Sequence, residues 1–351
     1  MPTTVDSILL AAEEHAASDV FLGEGEFARL KIQGKLSAIS EEPLEHEALV
    51  EFWRACGGDV EYDADRDTSY TSSSGRRFRV NLHRHTGRLG AVLRQLTTDI
   101  PEMISLGLPR DQLARWVQHP SGLILVTGAT GSGKSTTLAS MLEWVNIHLA
   151  KHVVTIEDPI EYLFTSKESL FTQREVYTDT DSFARGLRSS LRQAPDIILL
   201  GEIRDPETAA IALQAAETGH LVLATLHSTN VGDTLERLTN LFPTDERNSQ
   251  LALVAQHLVG IICQRLLPGI DGHLTLAVET MQNEGATRTF IRECRYPEIF
   301  DFMNRNDNPN NVTFTASLVE LTKAGKIDEN EAAAISGNPN DFKRALRGIS
   351  S

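Results

Sequence analysis

The stretch that most constrains this chain is residues 121–137, SGLILVTGATGSGKSTT. Leu123, Ile124, Leu125 and Val126 form a short apolar run bounded by Gly122 and Gly128, which reads as a buried strand. The next residues fill the pattern G-x-x-x-x-G-K-[ST] with Gly128, Gly133, Lys134 and Ser135. Glycines there let backbone N–H groups close around the β- and γ-phosphates of a nucleotide. Lys134 brings a point charge to the same oxygens, and Ser135 offers a hydroxyl to Mg²⁺. A helix starting near Ser135 and running through Leu142 adds the positive end of its dipole. Gly128, Ala129, Thr130, Gly131, Ser132, Gly133, Lys134, Ser135 and Thr136 are thus the expected nucleotide-binding residues. A strand that feeds such a loop and then a helix commits the chain to an α/β core.

Beyond Arg110 the strand–helix alternation continues, as expected of a mostly parallel sheet with helices on both faces. His152 to Ile156 is a β-branched strand that runs into Glu157, Asp158, Pro159, Ile160 and Glu161. Ligands in parallel sheets sit beyond the carboxyl ends of strands, so these carboxylates are placed to hold Mg²⁺ or polarise a water, while Asp158-Pro159 also suits a helix cap. A helix is expected over Asp181–Gln193 and ends at Pro195. Asp196 to Leu200 then runs into Gly201 and Glu202, a second acidic strand end. Many phosphate-loop families have Asp where Gly201 stands, which leaves Glu202 as the expected base or water-orienting residue. An alanine-rich helix over Thr208–Glu217 precedes the strand from His220 to Leu226, which has His227, Ser228, Thr229 and Asn230 at its polar end. His227 is placed to sense a γ-phosphate, whereas His220 also suits a core position. Apolar stripes predict helices over Leu235–Leu241, Asn248–Leu267 and Leu318–Ala324.

The first hundred residues read as a separate small α+β domain. Val5–Ala17 and Leu44–Cys56 are expected helices, and short strands are expected at 19–22, 28–32, 35–39, 75–81 and 90–96. Gln33-Gly34 is a hairpin turn. A cationic cluster falls here: Arg76, Arg77, Arg79, Arg84, Arg88 and Arg94, with His83 and His85. It reads either as a solvated strand edge or as a source of arginine fingers for a neighbouring subunit's nucleotide. Asp99-Ile100-Pro101 and Leu106-Gly107-Leu108-Pro109 mark a linker. The expected organisation is residues 1–98 as the first domain, 99–109 as the hinge and 110–351 as the second domain, with a helical C-terminal portion.

At 351 residues, with 41% hydrophobic and 23% charged residues, the chain has the composition of a soluble globular protein with room for two domains. A formal net charge of −15 argues against nucleic acid as the main partner. Three scattered cysteines, Cys56, Cys263 and Cys294, exclude a tetracysteine zinc site within one chain and suit a reducing compartment. The apolar runs are too short to span a bilayer, so a cytoplasmic location is expected.

Together, GATGSGKST, TIEDPIEY, DIILLGEIRD and TGHLVLATLH resemble the secretion-type ATPase superfamily, and within it the PilT/PilU family of type IV pilus retraction ATPases. The likeness extends to ASDVFLGEGE near the N-terminus, to QREV at 173–176 and LRQAPD at 191–196, and to Ala286, Arg288, Ile291, Arg292 and Glu293 of a C-terminal motif. It implies a PAS-like N-terminal domain followed by a RecA-like P-loop ATPase domain. It implies a homohexamer that hydrolyses ATP with Mg²⁺, peripheral at the cytoplasmic face of the inner membrane. The implied partners are a membrane platform protein and a paralogous retraction ATPase, and the implied work is pilus retraction in twitching motility. Residue by residue, the resemblance assigns Gly128 to Thr136 to the phosphates and Mg²⁺ and Glu161 to the acidic box as a catalytic and metal-binding residue, beside Ser135 and Glu157 as the other expected metal ligands. Glu202 becomes the catalytic glutamate, His220 and His227 form the histidine box, and Arg79 and Arg94 reach across to the next subunit. Two alternatives share these motifs: a type IV secretion, conjugation or pilus-assembly ATPase, and a non-hydrolysing nucleotide-binding regulator.

Overall fold

The computed structural model describes residues 4–96, 99–304 and 310–349. They fall into two units: Met1–Asp99 with Pro159–Leu163 and Tyr177–Asp179, and Ile100–Asp158 with Phe164–Val176 and Thr180–Ser351. Thr97 and Thr98, which end the segment read as the first domain, lie outside the described residues.

The first unit is built by period-two patterning. Its elements are α1 (Thr4–Glu14), β1 (Asp19–Gly23), β2 (Arg29–Ile32), β3 (Lys35–Ala38), α2 (His46–Ala55), β4 (Asp65–Thr71), β5 (Arg77–His85) and β6 (Arg88–Gln95). The strands form one sheet in the order β3-β2-β1-β6-β5-β4, every pair antiparallel. Phe78, Val80 and Leu82 of β5 and Leu89, Ala91 and Leu93 of β6 are buried, in one cluster with Val5 and Leu9 of α1 and Leu49, Phe52 and Trp53 of α2. The alternate residues Arg77, Arg79, Asn81 and His83 therefore stand on the opposite face. Gln33 and Gly34 both take positive φ, 49° and 79°, the turn expected between β2 and β3. Strand β4 was not expected. In DRDTSYT only Thr68 is buried, so this edge strand gives no apolar alternation.

The second unit follows α3 (Arg110–Trp116) with β7 (Gly122–Gly128), α4 (Lys134–His148), β8 (His152–Glu157), β9 (Leu170–Glu175), α5 (Phe183–Ser190), β10 (Ile197–Leu200), α6 (Pro206–Glu217), β11 (Leu221–Leu226), α7 (Val231–Leu241) and α8 (Arg247–His257). Then come β12 (Leu258–Pro268), β13 (Leu274–Gln282), α9 (Ala286–Arg292), α10 (Tyr296–Met303), α11 (Phe314–Lys323), α12 (Glu329–Ile335) and α13 (Pro339–Leu346). The sheet order is β13-β12-β7-β11-β10-β8-β9. Only β13 runs antiparallel to its neighbour. Helices cover both faces, as expected. Leu123, Leu125, Ile198, Leu200, Val222 and Ala224 share one core with α5 to α8, while Ile124, Val126, Ile197, Leu199, Leu221 and Leu223 share the other with α3 and α4.

The expected helix over Asn248–Leu267 is corrected. Only its first half is helical, and from Leu258 the chain pairs in parallel with the phosphate-loop strand β7. LVGIIC is an unbroken apolar run that a buried strand and a buried helix share. In the strand, position 260 must be glycine, because a Cβ there would stand 2.4 Å from the buried Trp116 ring. Strands β9 and β13 were also unexpected. Among the described residues no helix is long and apolar enough to cross a membrane.

Candidate active site

β7 delivers the chain to Gly128, and the turn that follows is closed by sterics. A Cβ on Gly128 would lie 2.3 Å from Ser132 Oγ and 2.7 Å from the Gln264 carbonyl oxygen, so no other residue fits. Gly131 and Gly133 take φ of 78° and 87°, the left-handed region that glycine adopts without cost. Lys134 Nζ donates to the carbonyls of Gly128 and Ala129 at 3.0 and 2.9 Å, folded over the loop it serves. Helix α4 begins at Lys134 without a side-chain cap, so its first N–H groups point at the cradle. The Ser132 hydroxyl is buried there without a partner. An anionic phosphate suits this set of donors. Behind the loop, buried Gln264 of β12 donates to Thr137 Oγ1 at 2.7 Å and ties α4 to the sheet.

The parallel register sets the remaining groups. Thr127 pairs with Leu226, Ala224 with Leu200, and Leu200 with Ile156, so β7, β8, β10 and β11 end along one edge. That edge presents Gly128, Glu157, Glu202 and His227. Backbone and side-chain bonds fix the ends: Ile203 N–H donates to the Thr225 carbonyl at 3.0 Å, and the Thr225 hydroxyl to the Gly201 carbonyl. The Glu202 side chain is only 12% exposed, and both its oxygens are engaged. His227 Nε2 lies 3.3 Å from Oε1, and Arg204 Nε donates to Oε2 at 2.6 Å. Arg204 also reaches Asp158 at 3.8 Å, and Arg237 Nη1 donates to the His227 carbonyl at 2.9 Å. A carboxylate held from two sides cannot rotate freely, which suits it to orienting a water or accepting its proton. Glu157 accepts from Gln173 Nε2 at 3.4 Å, and a side chain at Gly201 would start 3.4 Å from the Glu157 Cα.

Other expected site residues stand on other elements. His220 precedes β11 at its amino end, with Nδ1 3.1 Å from the Ala215 carbonyl. The length of the strand, about 20 Å, separates it from His227, so within one chain the fold does not bring it to the phosphate loop. Glu161 is exposed and lies in the 159–163 segment of the first unit. Arg79 and Arg94 are cross-strand partners on β5 and β6, and Arg94 bridges Asp19 of β1 at 2.8 Å. Sequence reasoning missed Arg204 and Arg237 as site residues. Arg204 had a local signal: two residues past Glu202 in extended chain, it emerges on the same side. Arg237 had none, since its contact depends on how α7 leaves the strand.

Residues 78–326 match the family model described as type II/IV secretion system protein. The type IV pilus retraction ATPase PilT of Pseudomonas aeruginosa is 36% identical over 347 residues, 96% of this chain and 99% of that protein. The type IV pilus ATPase PilU of the same organism is 34% identical over 97% of this chain and 91% of its own length. Among solved structures, the pilus retraction motor PilT with bound ADP superposes with a TM-score of 0.88 at 38% identity, over 97% of this chain and 99% of that one. With a phosphate loop, a strand-end glutamate held from two sides and similarity along nearly its whole length, the chain belongs to the type II/IV secretion system protein family as a P-loop ATPase of the PilT/PilU branch.

Proposed function

We propose that this chain is a motor that hydrolyses ATP to drive type IV pilus retraction. The observation that carries the reading is Glu202, held between His227 and Arg204 on the strand edge that also ends in the phosphate loop. The backbone amides of Gly128–Thr136 and the Lys134 ammonium hold the β- and γ-phosphates. Glu202 orients a water for in-line attack, and its two fixed oxygens leave that water one approach. His227, bonded to Glu202, registers the γ-phosphate and passes its presence to the loop that follows β11. Hard oxygen donors suit Mg²⁺, so the Ser135 hydroxyl with the Glu157 carboxylate would hold it, where it would neutralise phosphoryl charge. Arg79 and Arg94 complete the site from a neighbouring copy, which makes a homohexameric ring the working form. Its place is peripheral, at the cytoplasmic face of the inner membrane, where it would act on a pilus platform protein, with a paralogous ATPase as a further partner.

Deletion of the gene tests the direction of work. Excess surface pili with lost twitching support retraction, and bald cells overturn it in favour of assembly. Hydrolysis is tested separately by phosphate release from the purified assembly, where absence of turnover would leave only a regulator.

A further inference from the structure

Two side chains outside the strand-end site join the loop after His227 to the C-terminal helices. Glu279 of β13 is buried, 4% exposed, and each of its oxygens caps a different helix. Oε1 accepts from Val231 N–H at 2.7 Å, the first residue of α7, and Oε2 from Phe314 N–H at 3.3 Å, the first of α11. Arg265 of β12 lies on the same sheet face, since Cys263 pairs with Glu279 and Arg265 with Ala277. Its guanidinium stacks 4.5 Å from the Phe314 ring and donates to the Ile335 carbonyl of α12 at 3.1 Å and to the Thr229 carbonyl at 3.4 Å. Burial pushes the Glu279 carboxyl up, opposed by the two N–H donors and Arg265 and reinforced by Asp233.

These contacts converge. Thr229 and Val231 flank Asn230, the cap of α7, two to four residues from the histidine bonded to Glu202. On the other side both connectors meet at Phe314. A buried carboxylate that accepts from two helix N-termini stabilises both through charge and dipole, and it fixes their separation. The fork of Arg265 adds a second, independent tie.

We propose that Glu279 and Arg265 are positioning residues that hold the His227 loop in register with α11 and α12, so that the C-terminal helices set how His227 meets Glu202. The inference rests on the reading of His227 and Glu202 as the hydrolytic pair. It makes a demand that simple packing does not: variants on the far side of the strut must act through His227.

The test is steady-state ATP hydrolysis by the full-length assembled protein with Arg265→Lys and Phe314→Leu, each in the native and in the His227→Ala background. Lysine keeps the charge and loses the fork, and leucine keeps the Phe314 N–H and loses the ring. Each should lower kcat roughly tenfold, with KM for ATP nearly unchanged, in the native background, and by less than about twofold once His227 is absent. Glu279→Gln, which turns an amide NH₂ toward one of two N–H donors, should follow the same pattern. Equal losses in both backgrounds, or a rise in KM at constant kcat, overturn the proposal while leaving the hydrolytic pair in place. If His227→Ala alone leaves kcat unchanged, the pair itself falls and the proposal falls with it.

Discussion

The two sheets of this molecule handle their faces in opposite ways. In the second unit, β7, β10 and β11 are buried at every position, as parallel strands between two helical layers must be. Nothing chemical can be written along such strands, and the candidate site residues Gly128, Glu202 and His227 are left for their ends. In the first unit, β5 alternates buried and part-exposed residues. One face makes the core, and the other is free to carry charge at every second position. Arg77, Arg79 and His83 take those places. One sheet therefore offers a single sharply defined edge, while the other offers a broad cationic surface in a chain of net charge −15.

The largest effect should come from that edge. Glu202→Gln keeps the shape of the side chain and removes the charge proposed above to orient a water. Turnover should fall by about 10²–10⁴-fold, equivalent to about 3–5 kcal/mol of barrier, with ATP binding retained in equilibrium titration. A variant that hydrolyses ATP at the native rate would break the division between strand-end chemistry and strand-face charge.

A stability experiment sharpens the same division. Leu223 is fully buried in the centre of the parallel sheet, so Leu223→Ala should cost about 3 kcal/mol through lost burial and the cavity left behind. Val92 lies on the polar face of β6, opposite Phe21 and Asn81, and Val92→Ala should cost less than about 1 kcal/mol. Hydrogen-exchange protection of β11 and β6 amides reads the two units separately. Equal losses would mean that the outer face of the antiparallel sheet is more tightly packed than its polar residues suggest.

What was legible in the sequence follows the same line. The phosphate loop was readable because its whole function is written in contiguous residues. The parallel core was readable from the apolar strands at 123–126, 197–200 and 221–226. β12 was not, because a strand buried on both faces loses the alternation that separates it from a helix. β4 was missed for the reverse reason, having almost no buried residue to mark it. In the candidate site, Glu202 and His227 are expected from their places at strand ends, and the structure sets them 3.3 Å apart. Arg237, Gln264, Arg265 and Glu279 were not, because their contacts depend on the order and register of strands far apart in sequence. No pattern near Glu279 announces that its two oxygens will cap α7 and α11.

The cationic face can be taken apart one arginine at a time. Lys31, Asp19, Arg94, Arg79 and Ser69 stand in one cross-strand row. Arg94 neutralises Asp19, whose side chain is 7% exposed, and Lys31 flanks the acid from the other side. Arg94→Ala should therefore cost about 0.5–1 kcal/mol in thermal or urea unfolding of the first unit. Arg79 stands between Ser69 and the like charge of Arg94 and has no ion pair among the described residues, so Arg79→Ala should be neutral or stabilising by a few tenths of a kcal/mol. Both should lower turnover if the two arginines act on a neighbouring copy's nucleotide. A larger loss of stability for Arg79→Ala than for Arg94→Ala would overturn this account of the row.

Another small effect lies at the opposite end of the parallel sheet from the site. Asp196 accepts from His152 N–H at 2.9 Å and from Lys151 Nζ at 3.0 Å. Burial pushes its carboxyl up, but the His152 N–H and the Lys151 ammonium outweigh that effect, and the net position is below the usual carboxylate value. A carboxyl lowered on folding stabilises the fold while it is ionised. The contribution is therefore complete above the ordinary value near pH 4, and it fades as pH falls through the lower native value. Both partners are about two-fifths exposed, which screens the pair and limits it to about 0.5 kcal/mol. Asp196→Asn should accordingly match the native protein in acid and fall behind it at neutral pH, while hydrolysis stays unchanged because Asp196 lies a strand's length from Glu202. A stability gap that widens toward acid would reverse the sign of this interaction. A loss of turnover would show that the amino ends of the parallel strands, like the carboxyl ends, take part in the chemistry.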